Sequence, residues 1–274
     1  MTMKKIILIS SICLIVMTSS LFYLFSPKNA LRPDESKSHK KLIHTIRHLA
    51  IMMDGNRRWA EQHGLSRIEG HSHGVDPLKM AVRFCIDQHI PYLSVYAFSL
   101  ENFNRSPDEL AHIFHIVKEG LRIEEMQEVI DKGVCIRFIG DRSRIPADLM
   151  PTITTLENKT LNGTALQLNI LFCYGGQQEI TASVKAIAEQ VSRGELTPAD
   201  ITPQTIEAHL WMKGVPPPDL VIRTSGEQRL SNFLSWECAY SELLFIEKYW
   251  PAITYEDLEQ AVEIFVQRKR RFGK

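Results

Sequence analysis

Leu49-Ala50-Ile51-Met52-Met53-Asp54-Gly55-Asn56-Arg57-Arg58-Trp59 holds an abrupt change of chemistry, an apolar run ending in a carboxylate, a glycine, an amide and two guanidinium groups. Leu49 to Met53 reads as a short buried strand, and polar residues at a strand's carboxyl end stand where α/β sheets bind their ligands. Asp54 is suited to Mg²⁺, and Gly55 lets the backbone come close to an anion. The N–H groups that follow open a helix and point at such an anion, while Arg57 and Arg58 add fixed charge for phosphate oxygens. On these residues alone, a plain Asp-Gly turn beside a solvated arginine pair fits equally well.

The chain has 274 residues with 32 Lys+Arg against 32 Asp+Glu, so no global field draws it to nucleic acid, and any anion must be held by local clusters. Hydrophobic residues at 44% are ample for one sizeable core. Cys13, Cys85, Cys135, Cys173 and Cys238 are odd in number and scattered, which points to neither a disulfide framework nor a zinc site, and favours a reducing compartment. Lys4 and Lys5 precede an apolar and hydroxylic run from Ile6 to Phe25, long enough to cross a bilayer as a helix. A secretory signal is the rival reading. The length of the run and the lack of an Ala-x-Ala-like site favour an uncleaved anchor. Lys28, Arg32, Lys37, Lys40 and Lys41 beyond it place the following domain on the cytoplasmic face of the membrane.

Residues 1–25 are therefore expected to be an anchor or signal-like segment, 26–46 a tether, and 47–274 a catalytic domain. Strand candidates are Leu49–Met53, Tyr92–Phe98, Val134–Ile139, Leu166–Tyr174, Leu220–Ile222 and Leu243–Ile246, with helical patterns between most of them. This alternation predicts a single α/β domain whose mostly parallel sheet is flanked by helices. Ser106-Pro107-Asp108-Glu109 announces a helix start. Leu110, Ile113, Phe114, Val117, Leu121 and Met126 then predict one helix as far as about Ile130. Core packing is the default meaning of that stripe, and walling an apolar tunnel for a hydrocarbon tail is the functional one.

Besides Asp54 to Trp59, three clusters lie at or after strand ends: Arg67 with Gly70-His71, Ser99 through Arg105, and Arg223 through Ser231. Their shared theme is anion grip, and strand ends of one parallel sheet converge on one crevice, so they could surround two diphosphates. His63, His71 and His73 lack the spacing of a zinc site, and His71 fits better as a hydrogen-bond donor to phosphate. Glu242 is a late acid that could join Asp54 on a magnesium ion, since Mg²⁺ needs only one or two protein carboxylates.

These motifs, in order, resemble those of the cis-prenyltransferases, and most closely the bacterial undecaprenyl diphosphate synthases, or isoprenyl transferases. The resemblance rests on His48-Leu49-Ala50-Ile51-Met52-Met53-Asp54-Gly55-Asn56, Tyr96 through Arg105, Asp219 through Glu227, Arg229-Leu230-Ser231-Asn232-Phe233 and the closing Arg270-Arg271-Phe272-Gly273. It implies that Asp54 is the catalytic aspartate and a Mg²⁺ ligand. Gly55, Asn56, Arg57, Arg58, Trp59, Arg67 and His71 would hold an allylic diphosphate such as farnesyl diphosphate, and Arg223, Arg229, Leu230 and Ser231 would hold isopentenyl diphosphate. Ser99, Leu100, Glu101, Phe103 and Arg105 would stand at the substrate, with Asn102 as proton acceptor. A neutral amide is a poor base, so orienting a water or a diphosphate oxygen suits Asn102 better. Glu242 matches a second magnesium position, contributed across a homodimer interface in one version.

The implied activity is repeated cis condensation to a long polyprenyl diphosphate, with undecaprenyl diphosphate, the lipid carrier for cell-wall synthesis, as the expected product. Helices near Val75–Ile86 and Leu110–Ile130, with Leu166 at the far end, would wall its tunnel. The chain departs from the family at Gln228, where some bacterial members have His, at Phe103, where Trp is frequent, and at Arg57, where Gly is frequent. The amino-terminal anchor is also unusual. Two rivals remain: a non-catalytic membrane subunit of a prenyltransferase complex, opposed by the presence of Asp54, Asn102, Arg223 and Arg229, and a phosphate-binding hydrolase or nucleotide enzyme, for which no Gly-x-x-x-x-Gly-Lys-Ser/Thr loop exists.

Overall fold

The computed structural model describes residues 46–268; the apolar run 6–25, residues 26–45 of the expected tether and the closing Arg270-Arg271-Phe272-Gly273 lie outside the described residues. Strands and helices alternate as β1 (His48–Met52), α1 (Asn56–Gln62), α2 (Arg67–Ser72), α3 (Val75–Asp87), β2 (Tyr92–Ser99), α4 (Pro107–Gly120), α5 (Ile123–Asp131), β3 (Val134–Ile139), α6 (Met150–Thr160), β4 (Leu166–Tyr174), α7 (Gly176–Ser192), α8 (Pro203–Glu207), β5 (Leu220–Thr224), β6 (Glu242–Ile246) and α9 (Tyr255–Gln267). Among the described residues, no helix is long and apolar enough to cross a membrane.

The six strands form one sheet in the order β3-β4-β2-β1-β5-β6, and all five pairings are parallel. Apolar side chains fill both faces, as the near-continuous hydrophobic strands require. Leu49, Ile51, Leu93, Val95, Leu220 and Ile222 join one buried cluster with Phe84 of α3, Ile153 of α6 and Leu258 of α9. Ala50, Met52, Leu171, Tyr174 and Val221 join another with Met212, Phe233 and Leu234. Odd and even positions of one strand thus serve opposite faces. Successive strands are laid from β1 towards β2 on one side and from β5 towards β6 on the other. The carboxyl ends of β1 and β5 are therefore the topological switch point, where such sheets open a crevice.

The expected helix from Leu110 to Ile130 is two helices. Leu121 has φ −92° and ψ 2°, and Arg122 is extended with ψ 142°, so the chain leaves the helix after Gly120 and re-enters at Ile123. Leu121 and Met126 are both buried, yet they stand five residues apart, which no single helical stripe accommodates. The break lets both sides of the bend reach the core.

A polar ladder crosses the centre of the sheet. His48 Nδ1 lies 2.6 Å from the Pro216 carbonyl oxygen, so it carries the proton; Nε2 then accepts from Ser94 Oγ at 2.7 Å, and Asn169 Nδ2 donates to the same Oγ at 3.1 Å. Burial, opposed by the Pro216 bond and the Asp219 charge, pushes the His48 pKa down from 6.5 to about 4. A folded pKa below the unfolded one means that the unfolded chain binds the proton first, so stability is lost as pH falls from about 7 towards 4. Chemical denaturation of wild type and His48→Gln should show the wild type losing about 3 kcal/mol more than the variant over that window. Parallel curves would contradict a neutral, buried His48.

Candidate active site

Asp54 is the second residue after β1, and β5 fixes its peptide. Thr224 Oγ1 donates to the Asp54 carbonyl oxygen at 2.6 Å and accepts from the Asp54 N–H at 2.9 Å. Strand pairing sets Arg223 beside Met52, two residues earlier, so its guanidinium reaches forward to the carboxylate. Arg223 Nη2 donates to Asp54 Oδ2 at 2.8 Å, and Arg58, one turn into α1, donates to Oδ1 at 3.3 Å. Burial alone would raise the Asp54 pKa, but the hydrogen bond and charge of Arg223, with the charge of Arg58, hold the carboxyl below its ordinary range. Asp54 is ionised at neutral pH, with its side chain 32% exposed, whereas Arg223 is only 5% exposed.

Around this pair the arginines are aimed by fixed acceptors. Arg223 Nη1 donates to the Arg229 carbonyl and to Ser231 Oγ at 2.9 Å. Arg58 also donates to Ser225 Oγ at 2.7 Å and Glu227 at 2.8 Å, and its guanidinium lies 5.5 Å from the centre of the Tyr249 ring. Gly55, at φ 102°, sits under that ring: a Cβ there would lie 2.6 Å from a Tyr249 ring carbon. At Gly70 a Cβ would come within 2.3 Å of the Asn56 carbonyl oxygen, so only glycine lets α2 pack this closely on α1.

Two adjoining cavities share Met53, Asp54, Asn56, His71 and Arg105. The smaller, about 360 Å³, has the guanidiniums of Arg57, Arg58 and Arg105 in its wall against the carboxylates of Asp54 and Glu61, with His71 beside them. The larger, about 580 Å³, has Arg223, Ser231, Ser99, Glu101 and Asn102 on its polar side and Met52, Ala97, Phe98 and Ile113 on its apolar side. Behind Phe98 lie Phe103, Phe114 and Phe172, with ring centres 5.1 Å, 5.2 Å and 5.4 Å from it. Asn102 Oδ1 accepts from the Ser99 N–H at 3.1 Å, which leaves its NH₂ group as the free end. Burial first, then the charge of Arg105, lower the His71 pKa against the opposing pull of Glu109, so His71 is neutral.

Several expected residues stand elsewhere. Trp59 lines neither cavity and stacks on His63, with ring centres 4.2 Å apart. Arg67 is exposed and pairs with Glu61 at 3.0 Å, reaching the smaller cavity only through that partner. Arg229 pairs with Glu227, Leu230 packs against the second core cluster, and Leu100 and Phe103 pack against the first. Glu242 opens β6 beside Leu220, which itself pairs with Leu49, so it stands at the amino end of the sheet and accepts from Arg268 at 2.8 Å. The strand length puts it roughly 16 Å from Asp54 along the strand direction, and two strands away across the sheet. The two carboxylates of one chain therefore cannot share an ion, and only a second copy could bring Glu242 to the site. Glu109 was expected only at a helix start, Thr224, Ser225, Glu227 and Asn232 only as members of motifs without a role of their own, and Tyr249 not at all, yet each touches one of the named groups.

Among the described residues, no group of three His, Cys, Asp or Glu gathers to hold a metal. One ionised, part-exposed carboxylate at the edge of a cationic cavity nevertheless suits Mg²⁺ that takes its other ligands from phosphate and water.

Residues 52–273 match the family model described as "Putative undecaprenyl diphosphate synthase". An isoprenyl transferase of Zymomonas mobilis is 44% identical over 237 residues, 86% of this chain and 95% of that protein. The crystal structure of lavandulyl diphosphate synthase from Lavandula x intermedia in complex with dimethylallyl diphosphate superposes with a TM-score of 0.81 at 34% identity, covering 84% of this chain and 99% of that one. A probable undecaprenyl diphosphate synthase from Campylobacter jejuni gives 0.71 at 31%, covering 85% and 100%. This chain belongs to the undecaprenyl diphosphate synthase family and is a prenyltransferase enzyme.

Proposed function

We propose that this chain condenses isopentenyl diphosphate onto an allylic diphosphate with cis geometry, repeatedly, to give a long polyprenyl diphosphate. The observation that carries the reading is the ionised Asp54, clamped between Arg58 and buried Arg223 in the wall of a cavity that Met52, Ala97, Phe98 and Ile113 also line. A solved relative crystallised with dimethylallyl diphosphate, an allylic diphosphate, supports it. Undecaprenyl diphosphate, the carrier lipid of cell-wall synthesis, is the specific product we assign, on the strength of the family match. Within the same proposal the enzyme is a homodimer at the cytoplasmic face of the membrane, held there by residues 6–25 and by its own product.

The diphosphate of the allylic substrate lies against Arg57, Arg58, His71 and Arg105, and its hydrocarbon points towards Phe98 and Ile113. Isopentenyl diphosphate meets Arg223 and Ser231. As the allylic C–O bond ionises, negative charge grows on the leaving diphosphate, and guanidiniums already aimed at it stabilise that state more than the ground state. Mg²⁺ held by Asp54 would supply further charge to the leaving group when bound. The isopentenyl double bond attacks the allylic cation, and loss of a proton leaves the new double bond. Asn102 offers its NH₂ group to fix a diphosphate oxygen or water that takes that proton. A cavity of about 580 Å³ holds a primer rather than a long product, so growth has to displace the Phe98, Phe103, Phe114 and Phe172 cluster that α4 covers.

The purified protein, given Mg²⁺, farnesyl diphosphate and labelled isopentenyl diphosphate, should yield butanol-extractable label. No incorporation by folded protein contradicts the enzyme reading, and diphosphate release without chain growth favours a hydrolase. Asp54→Asn should lower kcat by at least about 10²-fold while circular dichroism stays unchanged. Excess chelator should abolish label incorporation by the wild type, and added Mg²⁺ should restore it.

A further inference from the structure

We propose that Glu109 is a positioning residue of this site: its carboxylate holds Arg105, Arg57 and His71 in the arrangement that receives the allylic diphosphate. The inference rests on the allylic reading of the smaller cavity. Glu109 is the third residue of α4, and its N–H donates to the Ser106 side chain at 3.4 Å, as a helix start requires. Its carboxylate lines neither cavity and instead meets three side chains that stand beside or in their walls. Oε1 accepts from Arg105 Nη1 at 2.9 Å and lies 3.4 Å from His71 Nε2 and 3.8 Å from Arg57 Nε. One oxygen thus gathers α1 through Arg57, α2 through His71 and the turn before α4 through Arg105.

According to its tautomer, His71 Nε2 either donates to Glu109 Oε1 at 3.4 Å or accepts from Arg105 Nη1 at 3.3 Å, and the neutral imidazole does either, so its link to Glu109 runs directly or through Arg105. Glu109 is 12% exposed, which leaves little water to screen its pull on Arg105. Burial would raise its pKa, but Arg105, Arg57 and His71 keep it low and the carboxyl ionised. Without that charge, Arg57 and Arg105 would lose the carboxylate that pairs with both, while Arg58 and Arg223 would keep Asp54. Mutual repulsion would turn Arg57 and Arg105 to solvent, and the cost of ordering them would move to the moment of binding. A carboxylate near a diphosphate also repels it. Two guanidiniums and an imidazole held in place outweigh one such repulsion, so the net effect of Glu109 is to aid binding.

The test compares wild type, Glu109→Gln and Glu109→Asp. Calorimetry measures binding of farnesyl thiodiphosphate, a slow-reacting analogue, in the presence of Mg²⁺, and steady-state kinetics measure KM for each substrate. Glu109→Gln should weaken the analogue and raise the allylic KM by about tenfold, with the isopentenyl KM moving by less than about twofold, and Glu109→Asp should recover part of the loss. A merely structural defect would raise both KM values together and overturn the proposal, as would a Gln variant that binds the analogue as tightly as wild type. If Glu109→Gln does not fold, the Asp variant carries the test alone, since a shortened arm should still raise only the allylic KM. Wild type that fails to bind the analogue would overturn the allylic reading itself, and the role of Glu109 with it.

Discussion

The ion pair between Asp54 and Arg223 is the constraint on which the site depends. Arg223 is almost wholly buried at the end of β5, and a guanidinium in that position needs a counter-charge to remain there. The sheet supplies it by placing β1 next to β5 in parallel, so that the residues leaving both strands meet at the switch point. Thr224 then ties the Asp54 peptide to β5 at both N–H and C=O, which removes freedom from the carboxylate before any ligand arrives. The fold positions two charges, and those charges position the chemistry.

A chain with no net charge still builds a local field by segregating its charges. Arg57, Arg58, Arg105 and Arg223 face the two cavities, while Asp54 is shared by Arg58 and Arg223, and Glu109 by Arg57 and Arg105. Shared acceptors leave guanidinium N–H groups for a ligand while keeping each side chain aimed. The apolar counterpart is supplied by Phe98 and Ile113, so a single ligand with a charged head and a hydrocarbon tail meets both environments at once.

Much of the fold was legible because buried strands announce themselves: Leu49–Met53, Val134–Ile139 and Leu166–Tyr174 stand within a residue of where the sheet has them. The bend at Leu121 was masked by a stripe that continues on both sides of it, and only the five-residue step to Met126 betrays the change of axis. The motif residues Asp54, Arg58, Arg105, Asn102, Arg223 and Ser231 meet at the cavities, because strand ends of a parallel sheet converge. Glu242 does not join them within one chain, since direction along a strand, invisible in a motif, puts it at the other end. Glu109 was read as a helix-start residue, and nothing local distinguishes a capping acid from one that turns to two guanidiniums and a neutral imidazole contributed by other segments. Trp59 and Arg67 follow the same lesson: a residue inside a motif can serve its neighbours rather than the ligand.

The most direct measurement is a crystal structure of the protein soaked with Mg²⁺ and farnesyl thiodiphosphate. The account predicts the ion on the Asp54 carboxylate, the diphosphate against Arg58 and Arg105, and the hydrocarbon running towards Phe98. A diphosphate bound away from Asp54, or a hydrocarbon leading into solvent, would contradict it.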